Sequence, residues 1–168
     1  MKTLYIARHA KSSWKENVND HQRSLNDRGE SDVLLMSTIV AEKFKRPDVI
    51  ITSDAKRALI TARQYQKAFA VTEANFVTVP KLYDFTGGDA LEVIKDCESI
   101  ANRTIETLMI VGHNHALTHL VNKLGDQSLE NLPTCGFVKI NFDIETWITL
   151  QRGVTETILY PKLFKTEN

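Results

Sequence analysis

Arg8 and His9 stand directly after the apolar run Leu4-Tyr5-Ile6-Ala7, in the tetrapeptide Arg8-His9-Ala10-Lys11. A guanidinium beside an imidazole at a strand end can hold an anion, and alone it can equally be a capping pair. Arg57 follows a second apolar run, Val49-Ile50-Ile51-Thr52, in what reads as the first turn of a helix. There, free backbone N–H groups and the helix dipole favour negative charge. Pointed into one crevice with Arg8, it completes a two-guanidinium clamp suited to the paired oxygens of a phosphate. His113, after a third run Thr107-Leu108-Met109-Ile110-Val111, adds a second imidazole. Two arginines and two histidines with no carboxylate among them repel one another unless an anion is to enter. A different chemistry is open at His113-x-His115-x-x-x-His119, whose spacing suits a zinc hydrolase with His115 and His119 on one helix face. No carboxylate stands near that cluster at ligand spacing, and the zinc reading leaves His9 without a role.

These residues need elements to position them. Leu4 to Ala7 reads as a buried strand, and helical spacing of Val33, Met36, Val40, Ala41 and Phe44 predicts a helix from Asp27 to about Phe44. Pro47 breaks it, Val49 to Thr52 is the second strand, and a helix through Ala55, Ala58, Leu59, Ala62 and Phe69 begins after a Ser53-Asp54 cap. Phe76 to Val79 is a third, short strand, and Gly87-Gly88-Asp89 opens a helix carrying Val93, Ile94 and Cys97. Thr107 to Val111 is apolar almost throughout, as a strand covered on both faces should be. A helix with Leu117, Leu120, Val121 and Leu124 follows, stopped by Gly125. Phe137 to Phe142 and Trp147 to Leu150 read as a hairpin, and Val154 to Leu159 as another strand. Alternating β and α elements imply an α/β fold, a sandwich with helices on both faces of a mixed sheet. Functional groups of such sheets gather beyond the strand carboxyl ends, where Arg8-His9, Ser53-Asp54 with Arg57, and Gly112-His113-Asn114 all fall.

Composition narrows the function classes. The 168 residues suit a single domain, 1–168, with no repeat, low-complexity tract or linker. Lys+Arg and Asp+Glu both number 21, so the basic surplus of a nucleic-acid binder is missing. No apolar run approaches the roughly 18 residues of a membrane span. The opening MKTLYIARHA meets Arg8 too early for a signal peptide, and Cys97 and Cys135 lack metal-like or redox-like spacing. A cytosolic location with both thiols reduced is the expectation.

The motifs resemble those of the histidine phosphatase superfamily, also called phosphoglycerate-mutase-like, and within it the short SixA-type phosphohistidine phosphatases. Arg8-His9-Ala10-Lys11-Ser12 is similar to the family's Arg-His-Gly signature in its Arg-His-Ala-Lys-Ser form. Asp20-His21-Gln22-Arg23-Ser24-Leu25 with Arg28-Gly29 resembles Asp-x-x-Arg-Pro-Leu followed by Arg-Gly. Ser53 to Ala62 resembles Ser-x-x-x-Arg-Ala-x-x-Thr-Ala, and Val111-Gly112-His113-Asn114 resembles the late Gly-His-Asn. The matches run in family order from residue 4 to about 124.

The resemblance implies a three-layer α/β/α sandwich with a mixed, mostly parallel central sheet, and a phosphatase that needs no metal or other cofactor. His9 is implied as the nucleophile that becomes a phosphohistidine, with Arg8, Arg57 and His113 stabilising the equatorial oxygens. Arg23 and Asn114 are implied as substrate contacts. The substrate is expected to be a phosphorylated protein, with phosphohistidine foremost, or a small phosphomonoester. Ala10 stands where glycine is commoner, Ser24 where proline is usual and His115 where proline is frequent. The general acid of larger members has its nearest counterpart in Asp84, which is equally readable as a loop residue. Two rivals remain beside the zinc hydrolase. A non-catalytic phosphate-binding module should have lost a core residue, and all four are present. A mutase needs a lid over its phosphoenzyme, for which Thr61 to His113 leaves no room.

Overall fold

A computed structural model describes residues 1–166. Six strands form one sheet in the order β3-β2-β4-β1-β5-β6. They are β1 (Lys2–Arg8), β2 (Val49–Thr52), β3 (Phe76–Thr78), β4 (Thr107–Gly112), β5 (Phe137–Phe142) and β6 (Val154–Leu159). Neighbours pair in parallel from β3 to β1, while β5 is antiparallel to both β1 and β6. The sheet is therefore mixed and mostly parallel.

Alternation along the strands divides the core into two layers. Leu4, Ile6, Ile51, Leu108 and Ile110 face α3 (Gly88–Lys95), α4 (Cys97–Ala101) and α5 (Ala116–Leu124). Tyr5, Ala7, Ile50, Met109 and Val111 face α1 (Asp27–Lys43) and α2 (Lys56–Phe69). β1 and β4 are buried on both sides, which explains why their sequences read as unbroken apolar runs. Adjacent β1 and β4 feed helices on opposite faces, α1 and α5. The crevice beyond their carboxyl ends is thus a topological switch point.

Local chemistry sets the helix starts. The Asn26 side chain accepts the Gly29 N–H (2.8 Å) and caps α1. A Cβ at Gly29 would lie 2.1 Å from the Lys11 carbonyl oxygen, so glycine lets the segment after His9 pack onto this helix.

Three expectations change. The hairpin partner of β5 is β6, because Trp147–Thr149 forms a 3-10 turn whose buried Trp147 indole donates to the Ile105 carbonyl (2.8 Å). The Gly88 helix ends at Asp96, so Cys97 begins a separate helix. Neither Ser53 nor Asp54 is the N-cap of α2; Ala55 is, without a side-chain bond. Among the described residues no helix is long and apolar enough to cross a membrane.

Candidate active site

Register brings the site together before any side chain is placed. Arg8 pairs with Gly112 across β1 and β4, and the His9 N–H donates to the Gly112 carbonyl (3.1 Å). Ser53 N–H donates to the Val111 carbonyl (3.0 Å), drawing the end of β2 to the same level. Arg8, His9, Arg23, Arg57, His113 and Asn114 consequently line one cavity of about 300 Å³.

His9 is fixed by its own backbone. Its Nδ1–H donates to the Ala10 carbonyl (2.7 Å), which leaves the Nε2 lone pair as the reactive atom. The Ala10 peptide is held in turn by Thr61, whose Oγ1 accepts the Ala10 N–H (3.0 Å) and donates to the Arg57 carbonyl (2.8 Å). Burial pushes the His9 pKa down to about 3; the Ala10 bond opposes this, and Arg57, Arg8 and Arg23 add to it. The imidazole is thus neutral at physiological pH.

His113 is likewise lowered to about 3, first by burial, then by His9 and Arg57, with Asp20 opposing and Arg8 adding. The two rings face each other with centroids 5.2 Å apart. Ser53 Oγ lies 2.8 Å from His113 Nε2 and accepts the Ala55 N–H (3.2 Å). A Ser53 hydroxyl that donates to Nε2 keeps the His113 proton on Nδ1, a buried atom with no partner among the described residues. Arg8 Nε is a second buried donor of this kind, while Arg8 Nη1 donates to the Leu132 carbonyl (2.8 Å). Leaving a buried donor unpaired costs roughly 1–3 kcal/mol. Both donors belong to residues that line the cavity.

Arg57 and Arg23 meet over Asp20, which in the sequence stands out only as the first residue of the Asp20–Leu25 motif. Arg57 Nη1 donates to the Asp20 carbonyl (2.6 Å) and Nη2 to its Oδ2 (2.9 Å), while Arg23 Nη1 donates to Oδ1 (2.9 Å). The Tyr83 hydroxyl also donates to Oδ2. Burial acts to raise the Asp20 pKa, but the bonds from Tyr83, Arg57 and Arg23 outweigh it and hold the carboxyl well below its ordinary range. The cationic cluster is therefore partly neutralised by a resident carboxylate. The sequence predicts no carboxylate there. Arg23 also donates from Nε to the Ser13 carbonyl (3.0 Å) and from Nη2 to Ser12 Oγ, and its guanidinium lies 3.2 Å from the Trp14 ring centroid.

The remaining expectations resolve differently. Asn114 lines the cavity, but its amide is occupied within the protein. Its Oδ1 accepts the Thr118 N–H (3.1 Å) and hydroxyl (2.8 Å), and its Nδ2 donates to Asn131 Oδ1 (2.8 Å). It anchors the start of α5.

Asp84 does not fit the general acid. Its carboxylate accepts the N–H groups of Thr86 (2.9 Å), Gly87 (3.0 Å) and Ala90 (3.0 Å) and the Thr86 hydroxyl (3.1 Å). Burial alone would raise its pKa; the bonds from Thr86, Ala90 and Gly87 prevail and lower it. An ionised, four-fold bonded carboxylate caps α3, whose Gly87 entry needs φ of +108°, and has no proton to give. The histidine triad of the zinc reading also diverges. His113 is buried, His115 and His119 are exposed, and among the described residues no group of three or more His, Cys, Asp or Glu is placed to hold a metal ion.

Known proteins are similar to this chain in sequence or fold. An uncharacterised chloroplastic protein of Arabidopsis thaliana is 28% identical over 150 residues, covering 86% of this chain and 68% of that protein. The SixA structure from Agrobacterium tumefaciens, described as a candidate phosphohistidine phosphatase, superposes with a TM-score of 0.78 at 24% identity, covering 95% of this chain and 98% of that one. The protein histidine phosphatase SixA complexed with tungstate gives 0.80 at 17% identity, covering 97% and 99%. These likenesses establish a common fold. A sequence profile of the histidine phosphatase superfamily (branch 1) matches residues 4–97, the stretch that carries Arg8, His9, Arg23 and Arg57. The chain therefore belongs to the histidine phosphatase superfamily, and its enzyme class is phosphatase.

Proposed function

We infer that the chain removes a phosphoryl group by attack of His9 Nε2 on phosphorus, and that its substrate is a phosphohistidine borne on another protein. One observation carries the reading. A neutral imidazole with its Nδ1 proton spent on Ala10 presents a lone pair inside a cavity lined by Arg8, Arg23 and Arg57. Those guanidiniums and His113 Nδ1–H take up the charge on the equatorial oxygens as the P–N bond to His9 forms. Water then cleaves that bond and releases phosphate. The guanidiniums supply the charge neutralisation that a metal ion supplies elsewhere, so no step calls for one.

The substrate class follows from proton supply. Expelling an alkoxide calls for a donor that contributes roughly 10²–10⁴-fold, and the capped Asp84 cannot be it. Imidazole leaves neutral when its distal nitrogen already holds a proton, which it can take from solvent near neutral pH. The exposed side chains of Trp14 and Phe85 at the cavity suit a protein-borne ligand better than an enclosed small one. A cytosolic location is supported by two buried thiols left as free cysteines.

The test is hydrolysis of a histidine-phosphorylated protein by wild type and His9→Ala, with and without a chelator. Loss of turnover in the variant and none with the chelator is expected. Turnover that the chelator abolishes and zinc restores, or a preference for alkyl phosphates, contradicts the reading.

A further inference from the structure

We propose that Asp20 selects the leaving group, accepting the distal N–H of a phosphorylated imidazole at the mouth of the cavity. The inference rests on the phosphatase reading of His9 and names a residue that chooses among its substrates.

Among the described residues Asp20 is the one acidic residue lining the cavity, where Arg8, Lys11, Arg23 and Arg57 are the cations. Its position is outward. The Asp20 side chain is 45% exposed against 4% for the Arg57 side chain that it holds, and His9 lies on the floor at 7%. In-line displacement places the leaving group opposite the nucleophile, hence on the outward side. A carboxylate offers about four acceptor positions. Arg23 takes one on Oδ1, and Arg57 and Tyr83 take both on Oδ2, so Oδ1 of this half-exposed side chain keeps a second position with no bond among the described residues. Trp14 and Phe85 line the same cavity with exposed rings, and Phe85 lies 5.3 Å from His113 between centroids. Aromatic faces of this kind favour a flat cationic ring.

The chemistry balances without a protein acid. As His9 Nε2 bonds to phosphorus, the substrate P–N bond breaks and its electron pair returns to the ring nitrogen. The distal nitrogen keeps its proton, so the ring departs as neutral imidazole. The phosphoryl group then sits on a second imidazole whose distal N–H rests on the Ala10 carbonyl. Asp20 supplies for the substrate ring what Ala10 supplies for His9. The same carboxylate repels a leaving group that carries negative charge.

Asp20→Asn separates this role from simple anchoring. Phosphoimidazole and p-nitrophenyl phosphate should be assayed on one preparation, so that folding cancels in the ratio of their kcat/KM values. Both rates fall, because Arg23 and Arg57 lose a charged anchor, and phosphoimidazole falls further, by about tenfold or more as expected for a charge-assisted bond. The alkaline limb of kcat for phosphoimidazole should also move to lower pH, because the carboxylate no longer holds the proton on the bound ring. An unchanged ratio in an enzyme that cleaves both substrates overturns the role of Asp20 alone. A wild type that cleaves p-nitrophenyl phosphate and leaves phosphoimidazole intact overturns the substrate reading on which it rests.

Discussion

Lowering the pH from 8 to 5 should destabilise this protein through two residues, His9 and His113. Both are held neutral, with pKa values of about 3 against 6.5 for the free side chain. Between those limits the unfolded chain binds more protons than the folded one, so stability falls as pH falls. At pH 5 an unfolded histidine is favoured by protonation about 30-fold while a buried one hardly titrates. That is about 2 kcal/mol each, and up to about 4 kcal/mol for the pair. The depressed carboxyls of Asp20 and Asp84 keep their stabilising effect until the pH drops below the ordinary carboxylate range, so they stay outside this window. Urea unfolding followed by fluorescence suits the test, since Trp147 is buried and reports the core. At an m-value of about 2 kcal/mol/M the midpoint should drop by up to about 2 M in phosphate-free buffer. A His9→Gln/His113→Gln variant should lose most of that dependence. An identical pH dependence in wild type and double variant would refute the reasoning.

Arg57→Ala should lower kcat/KM about 10²–10³-fold on every phosphorylated substrate, the scale of a lost transition-state donor, as steady-state kinetics would show. Asp84→Ala should cost about 1–2 kcal/mol in denaturant unfolding through the lost cap of α3, and whatever activity it loses should be lost equally on phosphohistidine, aryl and alkyl phosphates. Gly29→Ala should destabilise by about 1–3 kcal/mol and reduce turnover with it, because its Cβ meets the Lys11 carbonyl beside the nucleophile loop.

Much of this site was legible because buried strands write themselves as apolar runs and end where polar chemistry begins. Leu4–Ala7, Val49–Thr52 and Thr107–Val111 each hand over to a site residue, and parallel register aligns the three handovers. Asp20 was not legible as a partner. It meets Arg57 across 37 positions through a 3-10 turn, Asp20–Gln22, which has no periodicity to betray it. Ser53 is hidden for a related reason: its hydroxyl meets His113, 60 residues away, and the Ala55 N–H, but no N–H within the helix that follows. Asp84 carried no local signal of its role, because it stands three residues before the N-cap Gly87 and reaches the Gly87 and Ala90 N–H groups through a turn. The false hairpin came from Trp147, whose β-like neighbourhood hides an indole spent on plugging the core.

The position of the phosphoryl group on the enzyme tests the account most directly. Rapid quenching in base during turnover of a phosphoimidazole substrate, followed by mass spectrometry and phosphorus NMR, should find one phosphoryl group on Nε2 of His9. It should be stable in base, labile in acid and missing from His9→Ala, because Nδ1 is committed to the Ala10 carbonyl. Phosphate on His113, on Nδ1 of His9, or on no residue while turnover proceeds would contradict it.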